Sequence, residues 1–287
     1  MDAEPTAPAR RTKVLTPPQA IDLLPATIPL LAIGGMHLHN MPMALVRELA
    51  RCRADFRIET LIGAGLVRRA LVSYIGFEHL GLAPAFRRAA EAGTLAVDDV
   101  DAFSLLEAIR AGGSGLPFAA LPGALARTDL PARNPAFYRP MVDPFTGAAV
   151  FAAPPLRPTV ALIHCQEADA YGNGIARGAP FADRLLALAA DTVILQVERL
   201  VEPAHVLRAP QSVLIPGFLV AAVVPVSFGA HPTSSHRYYN YDEVHLHQYL
   251  QQAATPDGFA AYLATYVDGP GGVPERYMDA VQDAGWE

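Results

Sequence analysis

The chain has 287 residues, 52% of them hydrophobic and 17% charged, with a formal net charge of -6. That is enough apolar material for a large core, in one big α/β domain or two small ones. The negative balance argues against nucleic acid as a main partner, because that needs a basic face. An anionic small ligand held by local arginines stays compatible with it. The two cysteines, Cys52 and Cys165, belong to no CxxC pair, so neither a disulfide framework nor a zinc knuckle is indicated.

Residues 1–13 are polar and Ala/Pro-rich, with no apolar run behind their basic residues. They are expected to form a disordered leader rather than a signal peptide. Thr16-Pro-Pro-Gln19 carries the marks of a helix start, with a capping Thr, Pro in the first turn and a Gln that reaches back. A strand is expected over 27–33, ended by Gly34-Gly35, then a helix from Met43 to Arg53. Another strand is expected at 58–62 before Gly63-Ala-Gly65, then an apolar stretch at 70–75 and a helix over 84–92.

Ser104-Leu-Leu-Glu107 reads as a capping box that opens a helix to Ala111. Residues 122–158 hold many of the prolines. They read as an elaborated excursion with a turn at Asp143-Pro-Phe-Thr-Gly147. Thr159 to His164 is apolar without alternation, as in a central parallel strand. A crossover helix is expected over 180–190, strands over 192–197 and 220–228, and helices over 242–253, 256–266 and 274–284. Strands that alternate with helices imply an α/β fold: an open, mostly parallel sheet with helices on both faces. The apolar runs are too short or broken to span a membrane, so a cytoplasmic protein is expected.

Ligands of such sheets sit at the carboxyl ends of strands. Gly34-Gly35-Met36-His37-Leu38-His39-Asn40 is one such end, where paired glycines let backbone N–H groups approach an oxyanion. The helix behind it adds positive dipole, and a plain tight turn explains the glycines equally. Tyr74-Ile-Gly-Phe-Glu78-His79 sets a carboxylate after a strand, either a nucleophile or base or a solvated loop residue. Asp101 and Ser104 are candidates at a helix start, and capping accounts for both. His231 follows a strand and is either a ligand-binding or a hydrogen-bonded loop histidine. The loop holds neither a Walker sequence nor a dinucleotide fingerprint. His245 and His247 point to different sides of a helix, and common ligand spacings are missing, so no metal is expected.

Six blocks in order resemble one family. They are Ile33-Gly-Gly-Met-His-Leu-His-Asn-Met-Pro-Met-Ala-Leu-Val-Arg-Glu-Leu49, Phe77 to Gly93, Ala111-Gly-Gly-Ser-Gly-Leu-Pro-Phe118, and Arg127-Thr-Asp-Leu130. The fifth runs from Val160 through Gly172-Asn173 and Asp183 to Val197-Glu198, and the last is Pro216-Gly217 with Phe228 to Glu243. Together they are similar to the alpha subunit of class I coenzyme A transferases, in the glutaconate CoA-transferase and cholesterol-ring hydrolase branch.

The resemblance implies one CoA-transferase alpha-type domain over 14–287 and an obligate beta-type partner subunit. In that family a glutamate of the beta subunit carries a glutamyl–CoA thioester, while the alpha subunit supplies glycine-loop N–H groups. Gly34 and Gly35 would then polarise the thioester carbonyl, with Glu78 at a comparable strand end. His37, His39 and His231 would line the acyl pocket, and Asp101 and Ser104 would lie near the subunit boundary. No permanently bound cofactor is implied, and coenzyme A enters as an acyl-CoA substrate.

The sequence also departs from the family pattern. It has His37 and His39 where Phe or small residues are expected, and Asp101-Ala-Phe-Ser104 in place of Glu-Glu-Tyr-Ser. It also lacks the beta-subunit motif Ser-Glu-Asn-Gly. Acyl-CoA or carbon–carbon hydrolysis on the same scaffold, or a non-catalytic assembly role, stay open beside transfer.

Overall fold

The computed structural model describes residues 11–52, 62, 67–268 and 274–283. Most of the expected leader and of the strand at 58–62 lies outside them, as does 63–65. Ile62 is described, and it is helical and buried.

The chain opens with α1 (Pro17–Asp22), β1 (Leu31–Ile33), α2 (Met43–Cys52), β2 (Arg69–Val72), α3 (Pro84–Glu91), β3 (Ala96–Asp99) and α4 (Ala102–Gly113). The proline-rich excursion holds β4 (Ala119–Leu121), the one-turn α5 (Leu130–Arg133), β5 (Arg139–Val142) and β6 (Ala149–Ala153). Then follow β7 (Val160–Ala168), β8 (Gly174–Ile175), α6 (Asp183–Ala189), β9 (Thr192–Leu200), α7 (Pro203–Arg208), β10 (Val213–Ile215) and β11 (Val220–Pro225). Three helices close the described chain: α8 (Glu243–Gln252), α9 (Pro256–Tyr266) and α10 (Pro274–Asp283).

Thr16 caps α1 through the expected reciprocal box with Gln19. The helix expected at Ser104 starts earlier. Asp101 is the cap and its side chain accepts from the Ser104 N–H. A carboxylate suits the positive helix end and adds a turn, so Asp101 displaces Ser104 as the cap.

The main sheet has the order β10-β8-β7-β9-β11, with β1 beside the first half of β7. β1, β7, β9 and β11 are parallel, while the short β8 is antiparallel to both of its neighbours, β7 and β10. β2 and β3 make a small parallel pair. β4, β6 and β5 make an antiparallel sheet, so the excursion packs as structure.

All nine residues of β7 are buried. Ala161, Ile163 and Cys165 pack in the cluster with Leu186 and Ile109 from α6 and α4. Val160 and Leu162 pack in another cluster with Ile21, Leu45 and Leu49 from α1 and α2. Two covered faces leave no reason for apolar and polar residues to alternate.

Beyond Leu162 that second face turns polar. With a period of two it carries His164 and Gln166, while β9 carries Gln196 and Glu198 on the same side as Ile194. The C-terminal helices form a further cluster of Tyr249, Phe259, Tyr262, Tyr266 and Tyr277 against Ala50 and Ala85.

Replacing Leu162 by Ala opens a cavity under two layers and should cost about 2–5 kcal/mol in urea unfolding. Leu207→Ala, at a residue 78% exposed, should stay within about 0.5 kcal/mol.

Candidate active site

The parallel strands present their carboxyl ends on one edge, and the loops that leave β1 and β11 meet there. Gly34 donates its N–H to Leu162 O at 2.8 Å, and Gly35 donates to Asp183 Oδ1 at 2.8 Å. Both glycine N–H groups expected to face a thioester are thus engaged inside the protein. Gly35 has φ +80, and a Cβ on it would come within 2.6 Å of the carbonyl oxygens of His39 and Asn40. Gly34 has room for no side chain either, since a Cβ would meet Asp183 Oδ1 at 2.4 Å. The glycines shape the loop, then, and do not themselves offer donors.

Met36 and His39 exchange backbone hydrogen bonds of 3.0 Å, which closes a two-residue turn with His37 at φ 56. At its tip the N–H groups of His37 and Leu38 have no acceptor among the described residues. The expected contribution of α2 is also closed off. Its first N–H groups, on Met43, Ala44 and Leu45, donate to Met41 O, Gly229 O and Gln196 Oε1.

His37 and Glu78 come together: Nδ1 of His37 contacts Glu78 Oε1. Both side chains are about two-fifths exposed, at 39% and 40%. Both residues have left-handed backbones, φ 56 and φ 54. Strain of this kind costs about 1–3 kcal/mol per residue, and an exposed polar contact, even when both partners are charged, returns only about 0–1 kcal/mol. Stability alone does not account for the pair. The Glu78 N–H donates to the Tyr74 hydroxyl at 3.2 Å, and the Tyr74 ring lies 6.0 Å from that of His37. Gly76 makes room for that hydroxyl, since a Cβ there would come within 2.3 Å of it.

His39 Nδ1 lies 2.6 Å from Ser234 Oγ. The same two residues pair as a parallel bridge, which ties the β1 loop to the segment after β11. Asn40 Oδ1 accepts from Gln166 Nε2 at 2.9 Å, and Gln166 Oε1 accepts from the Arg177 N–H at 2.8 Å.

Sequence reasoning missed three features. The first is Asp183, 2% exposed. Burial pushes its carboxyl up to about 7, against the pull of the Gly35 N–H. The second is the polar layer beneath the loops. Gln196 accepts from Leu45, so its Nε2 donates to His164 Nδ1 at 2.8 Å. His164 then carries its proton on Nε2, 3.1 Å from Ser235 Oγ and 3.4 Å from Glu198 Oε1. Burial raises the Glu198 pKa, opposed by the Tyr239 hydroxyl and the N–H groups of Phe228, Gly229 and Ala230. The third is Glu167, bonded by Arg177, Arg199 and Tyr238. Burial works to raise its pKa, but those partners outweigh it and hold it below the ordinary value. The alternation of His164, Gln166, Gln196 and Glu198 with apolar residues was the signal available for the second.

The other expected site residues lie elsewhere. His231 is fully buried, with Nδ1 2.8 Å from the Tyr277 hydroxyl and Nε2 3.0 Å from Asp242 Oδ2. Its carbonyl accepts from Arg47, whose guanidinium lies 3.6 Å from the Tyr277 ring centre. These partners tie it into the core, as a hydrogen-bonded histidine, rather than bringing it to the loop cluster around His37. Asp101 bonds the Ser104 N–H and the Tyr138 hydroxyl at 2.9 Å each. Burial works to raise its pKa, yet these bonds leave it lowered. Ser104 is fully buried in the first turn of α4. Neither belongs to the loop cluster around His37.

Helices on both faces of a mostly parallel sheet, with polar loops at its carboxyl edge, define an open α/β scaffold. Residues 29–225 match the family described as Coenzyme A transferase. The chain belongs to that family. It is 36% identical to the A-type subunit of the 3-oxoadipate CoA-transferase of Pseudomonas knackmussii, over 77% of this chain and 78% of that protein. It is 30% identical to the cholesterol ring-cleaving hydrolase IpdA subunit of Rhodococcus jostii, over 83% of this chain and 86% of that one. The crystal structure of glutaconate coenzyme A-transferase from Acidaminococcus fermentans matches with a TM-score of 0.85 at 25% identity. That match covers 95% of this chain and 94% of the other. Among the described residues no helix is long and apolar enough to cross a membrane.

The buried histidines set an acid limit. Burial lowers His164, His231 and His245 to about 3 each. Unfolded histidines titrate near ~6.5, so as pH falls below that the unfolded chain binds protons the folded chain refuses. Asp183 works the other way, because its raised pKa lets the folded chain take up a proton between about 7 and ~3.9. Glu198, also raised, acts in the same sense as Asp183. With three groups opposed by two, stability should fall by about 1–3 kcal/mol per pH unit below pH ~6. Urea midpoints measured at several pH values check this, and Asp183→Asn should steepen the fall by about 1.4 kcal/mol per unit.

Proposed function

We propose that this chain is the alpha-type subunit of a coenzyme A transferase, an enzyme that works with a beta-type partner subunit. The observation that carries this is membership of the family over 29–225, together with a 36% identical relative that is itself named as one subunit of a CoA-transferase. The substrate is an acyl-CoA, and coenzyme A passes between carboxylic acids through a glutamyl–CoA thioester on a partner glutamate. No permanently bound cofactor takes part. Residues 14–287 act as one alpha-type domain, in keeping with the way α8 to α10 pack on Ala50 and Ala85.

The contribution of this chain is the carboxyl-edge loop cluster. Gly34 and Gly35 hold the turn in a shape that side chains would break. The donors for a thioester oxygen are then the N–H groups of His37 and Leu38, whose hydrogen bonds strengthen as the oxygen gains charge. His37 and His39 border the acyl group.

Co-expression with the beta-type subunit, then incubation with acyl-CoAs and borohydride, should leave a reduced adduct on a partner glutamate. An active complex that moves coenzyme A and never forms the adduct would overturn transfer by this route. Gly35→Val should lower turnover by about 100-fold or more by moving the turn donors. Circular dichroism should show the sheet intact, and undiminished turnover would remove the loop from the mechanism.

A further inference from the structure

The His37–Glu78 contact joins two side chains from separate loops, both exposed and both on left-handed backbones. The carboxylate lies on Nδ1. In the neutral ring this assigns the proton to Nδ1 and leaves the Nε2 lone pair to accept another. Glu78 is itself held, because its N–H is bound by the Tyr74 hydroxyl and Gly76 lets that hydroxyl lie across the loop. The same turn that carries His37 carries the N–H groups of His37 and Leu38, which have no acceptor among the described residues. Base and oxyanion donors therefore share one turn, at the edge where parallel sheets take their ligands.

We propose that the His37–Glu78 pair is a general base that activates water against an acyl thioester, so that this site hydrolyses acyl-CoA. The inference rests on the acyl-CoA reading above. His37 Nε2 takes a proton from water as the water oxygen bonds to the thioester carbonyl carbon. The oxyanion is held at the turn. It then collapses, the carbon–sulfur bond breaks, and the imidazolium returns the proton to the leaving sulfur. Acyl-CoA and water become a carboxylic acid and free coenzyme A. Glu78 keeps the ring oriented and stabilises its transient positive charge. The exposure of the pair favours water as the reactant over an enclosed carbon acid.

The test uses the chain in complex with its beta-type partner. Coenzyme A release from an acyl-CoA is measured without an acceptor acid, and transfer is measured with one. Wild type should hydrolyse. His37→Gly accepts a φ of 56 without strain and leaves a hole of imidazole size. It should lower the ratio of hydrolysis to transfer by about 100-fold, and added imidazole should restore hydrolysis. Glu78→Gln should lower that ratio by about 10-fold, while His79→Asn should leave both rates unchanged. If wild type transfers without hydrolysing, or if His37→Gly hydrolyses normally, the base assignment is wrong and the transferase reading stands. A wild-type complex that neither binds coenzyme A nor turns over acyl-CoA removes that reading and this inference together.

Discussion

β7 has to be buried on both faces and still serve a polar edge, and the structure is organised around that conflict. Its first half meets helices on each side through side chains such as Leu162 and Ile163. Its second half keeps the burial but changes partner, with His164 and Gln166 beneath the loops. Buried polar groups are costly unless bonded, so each of these is tied to a neighbour: Gln196, Ser235, Asn40 or the Arg177 backbone. The loops at the carboxyl edge are held in place by the polar groups they must satisfy.

Much of this was readable from the chain alone, and the limits follow from distance. The unalternating run at Thr159 to His164 marked the central strand, because two covered faces leave a plain signature in one segment. The capping box at Thr16 held for the same reason: its partners lie within one turn. For His231 the choice between ligand-binding and hydrogen-bonded histidine stayed open in the sequence, because one partner that ties it into the core, Tyr277, lies 46 residues further on. The Asp101 and Ser104 caps compete one turn apart, and only the folded helix shows which wins.

The contact between His37 and Glu78 needs two left-handed residues at once, and neither residue type announces that conformation. Each could be named as a candidate from its place after a strand, but their meeting could not. Asp183 had no local mark of function. Its carboxyl acquires a role only when α6 brings it under Gly35, where burial changes its titration. The resemblance to a family placed these residues in matching blocks and left open the bonds each would make.

The amino end of α2 carries a consequence for the coenzyme. A helix start is a ready seat for a phosphate because its first N–H groups lack partners. Here Met41, Gly229 and Gln196 take those groups from within. This end of the helix is stoppered, and any diphosphate that approaches the edge must find its counter-charge elsewhere.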